Sequence, residues 1–129
     1  MITTSVIELN RSALASNLAF IRKNIHKRSK ISSVVKGNAY GHGIKEFVEM
    51  AEGEGINHFS VFSADEAEEV FKYKKPGTKI MIMGWLDNEQ VEWAIQNDIE
   101  FYIFDLNFVY ETMQTSFEAR QVGKGAYRS

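Results

Sequence analysis

Lys79-Ile80-Met81-Ile82-Met83-Gly84 is the stretch on which the fold turns. Its apolar residues follow one another without alternation, as in a strand covered on both faces, and Gly84 opens a turn directly after them. Ahead of it, Pro76-Gly77 stops a helix that Ser63 caps and that presents Ala67, Val70 and Phe71. Behind it, Asp87 or Asn88 caps another helix with Val91, Ala94 and Ile95 turned inward. A strand held between two amphipathic helices is the unit of a parallel sheet, because parallel neighbours need a crossover long enough to hold a helix.

The unit recurs in both directions. Residues 58 to 62 read as a strand, and so do residues 31 to 35, where Ile31, Val34 and Val35 supply β-branched bulk for a buried position. Between them Ile44, Phe47, Val48 and Ala51 recur at helical spacing over about residues 44 to 52, with Gly53 and Gly55 at the end. Downstream, residues 101 to 104 give another apolar strand, and Asp105 begins a helix through Phe108, Val109 and Met113. At the start, residues 6 to 9 read as a short first strand. Asn10 then caps a helix bearing Leu14, Leu18, Ile21 and Ile25 on one face. Lys23, Lys27, Arg28 and Lys30 gather toward that helix's end, a solvated position that suits cations.

Strand starts near 31, 58, 79 and 101 imply repeated βα units with right-handed crossovers. Such a chain belongs either to an open doubly wound sheet or to part of an eight-unit barrel, whose complete form takes about 250 residues. This chain has 129, enough for one domain. Its tail, Val122-Gly123-Lys124-Gly125-Ala126-Tyr127-Arg128-Ser129, carries no terminating signal and reads as cut rather than finished.

Composition removes several function classes. Fifteen Lys and Arg against 17 Asp and Glu leave a net charge of −2 and no basic block for a nucleic-acid backbone. Cysteine is absent, which excludes disulfides, thiolate metal sites and thiol nucleophiles. His26, His42 and His58 stand apart without ligand spacing, so no metal is expected. Neither a signal sequence nor an apolar run of about 20 residues is present, which makes the cytoplasm the expected location and excludes a membrane span.

The chemistry concentrates in Ser33-Val34-Val35-Lys36-Gly37-Asn38-Ala39-Tyr40-Gly41-His42-Gly43. Lys36 ends an apolar strand, and a buried cation there must be paired, neutralised or covalently used. A lysine in such a place can capture the aldehyde of pyridoxal phosphate, whose ring then serves as an electron sink for an attached amino acid. Tyr40 can turn its ring or phenol toward the same pocket, and the glycines allow close backbone approach. The pattern alone also admits electrostatic phosphate binding, a structural strand-end lysine, Tyr40 as a core aromatic and His42 as a hydrogen-bonded loop residue.

Val34-Val35-Lys36-Gly37-Asn38-Ala39-Tyr40-Gly41-His42-Gly43 resembles the cofactor-lysine signature of alanine racemases, with Gly37 where that family most often has alanine. Val6-Ile7-Glu8-Leu9-Asn10 and its helix resemble the family's opening segment, and Ile80-Met81-Ile82-Met83-Gly84 a later barrel strand, so the likeness spans essentially the whole chain. It implies a fold-type III pyridoxal 5'-phosphate enzyme, an isomerase interconverting L- and D-alanine for cell-wall precursors. The fold expected is α/β: a parallel (β/α) barrel of the TIM type, partial here with about four strand-helix units, residues 1–129 forming a single domain without the family's C-terminal β domain. By the same resemblance Lys36 holds the cofactor as an internal aldimine and is the base on one face of the α-carbon. Val34, Tyr40 and Met83 line the cofactor, Met83 standing where the family often has leucine. The resemblance further implies a homodimer in the full-length form, whose neighbouring subunit supplies the opposite-face tyrosine; Tyr102, Tyr110 and Tyr127 do not match that residue. A non-catalytic pyridoxal-phosphate carrier is the alternative function, and a remnant that only contacts other proteins a third.

Overall fold

A computed structural model describes residues 5–122, with side chains described through Glu118. The tail from Gly123, including Tyr127, lies outside the described residues. Helix α1 spans Arg11–Asn24, and the side chain of Asn10 accepts the Ala13 amide at 3.0 Å, which satisfies one of the donors left open by the first turn. Strand β1 is Ser33–Val34, followed by the short turn α2, Lys36–Tyr40, and helix α3, Ile44–Gly53. Then β2 (His58–Val61), α4 (Ala64–Tyr73), β3 (Lys79–Ile82), α5 (Asn88–Gln96), β4 (Glu100–Phe101) and α6 (Leu106–Val122) complete the order.

The four strands form one parallel sheet in the order β1-β2-β3-β4. Sequential neighbours joined by helices are the arrangement of a barrel wall, and this is a partial barrel. Doubly wound sheets reverse strand order at a switch point, and no reversal occurs among the described residues. The register sets Val34, Ser60, Met81 and Glu100 side by side on one face and Val61, Ile82 and Phe101 on the other. The second face is the core, where Phe59, Val61, Ile80 and Ile82 lie buried with Val48, Ala67, Val70, Val91 and Ala94 from the helices.

The first face is not covered by helices, and several strand expectations fail for that reason. Residues 79–83 were expected to be closed in on both sides, yet Met81 and Met83 are only half-buried. Val34, expected as buried bulk, is 37% exposed, while Val35 beside it is fully buried. The strand expected over 31–35 shortens to two residues, and that expected over 101–104 becomes Glu100–Phe101, leaving Tyr102, Ile103 and Phe104 exposed. Both are edge strands, with one ladder rather than two to hold their ends. Residues 6–9 form no strand, since no neighbour offers them a ladder; Val6 and Ile7 are exposed.

The helices follow their sequence signals more closely. Ser63 and Glu66 make a capping box at α4, and Asp87 and Gln90 make another at α5. Asp105 accepts the Phe108 amide at 2.7 Å where α6 begins. Three inward expectations do not survive: Ile21 on α1, Phe71 on α4 and Met113 on α6 are all exposed. Met113 belongs with Leu106, Tyr110 and Phe117 to an exposed stripe of α6, whose other side buries Phe108.

Candidate functional site

Lys36 stands two residues past the end of β1, and the intervening Val35 extends the ladder by donating its amide to the Ser60 carbonyl at 2.9 Å. The chain then winds left-handed. Gly37, Asn38 and Ala39 have φ of 62°, 55° and 57° with ψ of 43°, 46° and 47°, and Tyr40 follows at φ 55°. Such a conformation costs about 1–2 kcal/mol for each non-glycine residue, so a run of them exists only where other contacts dictate it. Four backbone bonds of 2.8–3.0 Å hold this one: Ala39 to Val35, Gly41 to Gly37, His42 to Ala39 and Gly43 to Asn38. The Asn38 side chain adds a fifth by accepting the Ile44 amide at 3.0 Å, and Ala39 is buried beneath the turn.

The turn opens one wall of a cleft at the carboxyl end of the sheet. Lys36, Gly37, Tyr40, Phe62, Ser63, Asp65 and Glu66 line it, around a volume of about 740 Å³. Tyr40 and Phe62 supply exposed aromatic surface at 65% and 60%, and nothing lies within 4 Å of a β-carbon placed on Gly37 or Gly41. Lys36 itself is exposed, which corrects the expectation of a buried cation: the sheet's uncovered face leaves the strand end open to water.

Glu66 is the residue that the sequence reading missed. One of its carboxylate oxygens accepts the amides of Phe62 at 2.9 Å and Ser63 at 3.2 Å, while the other accepts the amide of Gly37 at 2.5 Å. The Ser-x-x-Glu spacing marks a capping box in the sequence, but nothing local to it reveals the bond to Gly37. Gly84 is a second such residue, since it brings the end of β3 against the Phe62 carbonyl.

Of the four residues expected at a cofactor site, Lys36 and Tyr40 share this cleft. Val34 and Met83 are not among its lining residues, although Val34 and Met81, two before Met83, share the uncovered face. His42 is an exposed residue of the turn between Gly41 and Gly43. His58, isolated in the sequence, is bonded in space: its Nδ1 lies 2.7 Å from Ser32 Oγ and its Nε2 3.3 Å from Glu100, and Ser32 Oγ lies 2.6 Å from Ser60 Oγ. This chain of polar side chains crosses the sheet from Glu100 and His58, at the amino ends of β4 and β2, to Ser60, which pairs with Val34. Among the described residues no group of His, Asp and Glu could hold a metal ion, and no helix is long and apolar enough to cross a membrane.

A parallel strand-helix wall with an amine and two aromatic rings at the strands' carboxyl ends defines the class of β/α-barrel proteins that carry their chemistry at that mouth. Residues 9–124 match the family described as alanine racemase, N-terminal domain, and the chain belongs to that family. Alanine racemase 1 of Caldanaerobacter subterraneus subsp. tengcongensis is 30% identical over 118 residues, covering 92% of this chain and 30% of that protein. Alanine racemase of Helicobacter pylori strain P12 is 34% identical over 102 residues, covering 79% and 27%. The solved alanine racemase of Clostridium difficile 630 superposes with a TM-score of 0.74 at 25% identity, over 83% of this chain and 28% of that one. The chain thus spans less than a third of the length of these relatives.

Proposed function

We propose that the chain provides the lysine-bearing part of a pyridoxal 5'-phosphate-dependent amino-acid racemase acting on alanine, with Lys36 as the attachment residue. The observation that carries this reading is the placement of Lys36 at a strand's carboxyl end, in a cleft with Tyr40 and Phe62, within a chain of the alanine racemase family. The cofactor would supply an aldehyde that a lysine amine captures with loss of water, and a ring that accepts the electron pair left when an amino acid loses its α-proton.

The residues present fit part of that group. The Lys36 amine suits the aldehyde, the rings of Tyr40 and Phe62 suit an aromatic face, and Gly37 and Gly41 leave space beside the backbone. Asp65 and Glu66 on the same wall do not suit a phosphate, so the phosphate would be held elsewhere. With the cofactor and substrate bound, Lys36 Nζ would be the base that accepts or returns the α-proton on one face. Racemisation needs a second acid-base group on the opposite face. Val34 would stand deeper on the uncovered face, and Met83 beside Phe62, just past the end of β3.

Incubation with pyridoxal phosphate, borohydride reduction and mapping of the adduct tests the reading. Selective labelling of Lys36 is expected; labelling spread evenly over the lysines defeats it. Deuterium entering the α-position of alanine separates racemase chemistry from mere carriage of the cofactor, and Lys36→Ala should abolish that exchange.

A further inference from the structure

We infer that Glu66 is the positioning residue of Lys36, acting through the peptide that joins Lys36 to Gly37. The inference rests on the reading of Lys36 as the attachment residue.

A capping box asks of its glutamate only that it reach the amide at the helix start. Glu66 meets that need with a single oxygen, which takes both Ser63 and Phe62. Its other oxygen crosses to a residue 29 positions earlier and accepts the Gly37 amide at 2.5 Å. That N–H belongs to the peptide bond leaving Lys36, and Gly37 is the first left-handed residue of the turn. Within the turn, Gly37 contributes its carbonyl, to Gly41, while its amide turns outward to Glu66. A carboxylate bonded by three amides is a charge-assisted clamp, stronger than neutral bonds of the same geometry. One side chain therefore fixes the end of β2 and the backbone carrying Lys36 to each other, across the cleft that both line.

The substitution Glu66→Gln separates the two duties. A carboxamide keeps one oxygen for the Phe62 and Ser63 amides but turns an NH2 toward the Gly37 N–H, where donor meets donor. In the full 129-residue chain, the Glu66→Gln variant is expected to retain its helical circular dichroism while the Gly37 amide exchanges about ten- to a hundredfold faster. The preference of pyridoxal phosphate for Lys36 over the other lysines, read by borohydride trapping, should fall about tenfold. Asp65→Asn removes the same charge from the same cleft and should leave Gly37 exchange unchanged.

Unchanged Gly37 exchange in the Glu66→Gln variant overturns the inference, as does an equal effect from Asp65→Asn. Faster exchange with undiminished preference for Lys36 also overturns it, because the backbone would then be held without steering the amine. A wild-type chain with no preference for Lys36 defeats the cofactor reading instead, and leaves the amide measurement to report on the Glu66 clamp by itself.

Discussion

The amide of Gly84 donates to the carbonyl of Phe62 at 2.9 Å, and a β-carbon on Gly84 would stand 2.3 Å from that same oxygen. The neighbour is backbone, which cannot swing aside, so the two strand ends approach this closely only because position 84 has no side chain. Gly84→Ala should lower stability by about 1–3 kcal/mol and shift the Phe62 and Gly84 amide resonances. Urea unfolding and amide spectra check both, and an unaltered unfolding midpoint would contradict the close approach.

Glu52 is buried, and its carboxylate accepts the Thr78 hydroxyl at 2.6 Å and the Lys75 amide at 2.8 Å. This ties the end of α3 to the loop before β3. Thr78→Val withdraws one donor from a buried charge and should cost about 1–3 kcal/mol by urea unfolding. Glu52→Gln, which keeps an acceptor, should cost less than Glu52→Ala.

Gly37 has φ +62° with open space where a side chain would go. Gly37→Ala therefore meets no clash, and its cost is conformational, about 1–2 kcal/mol. Thermal unfolding should show that loss while Lys36 keeps its selective labelling.

The His58 ring joins Ser32 to Glu100 across the uncovered face, with its side chain only 13% exposed. His58→Phe should destabilise the chain by about 1–3 kcal/mol, since the Ser32 hydroxyl, itself bonded to Ser60, loses a partner. Labelling at Lys36 should persist, because none of these side chains lines the cleft. Loss of selective labelling would show the network to be coupled to the cleft.

Lys79 is hydrogen-bonded to Asp98, and that bond, followed by the attraction of the same carboxylate, raises the lysine above its ordinary value of 10.5. A raised lysine favours the folded state while it is protonated, so the contribution is complete below pH 10.5 and fades as pH climbs through the folded value. The Asp98→Asn variant should bring the Lys79 titration, followed by NMR, back toward the ordinary lysine midpoint. The pair is solvent-exposed, so stability at neutral pH should scarcely change.

Features that depend on neighbours in sequence were legible. Asn10, Ser63, Asp87 and Asp105 cap the helices expected of them, because a cap is a bond between a side chain and backbone two or three residues away. The central strands β2 and β3 fall where their apolar runs lie, held on both sides by partners. Residues 6–9 and 102–104 are equally apolar yet form no strand, since a ladder needs a second chain segment that composition cannot announce. At the candidate site, Lys36 and Tyr40 stand out by type and spacing and meet in one cleft. The glycines signal positive φ at 37, 41 and 43, but the left-handed run through Asn38, Ala39 and Tyr40 is imposed by bonds on either side of it. Glu66 looks from sequence like an ordinary cap residue; its second bond exists only after β1 and β2 are side by side.

The pairing of the strands also sets the lengths of chain that folding must close. Ser33 meets Phe59, His58 meets Lys79 and Met81 meets Glu100, so successive ladders join residues 26, 21 and 19 positions apart. Loop-closure entropy changes only slowly with length, and these three closures differ by a few tenths of a kcal/mol, roughly. No ladder waits on a distant partner. The wall can therefore assemble by accretion, each strand-helix unit docking on the one before it, and the β2–β3 pair, the longest ladder, is the natural seed.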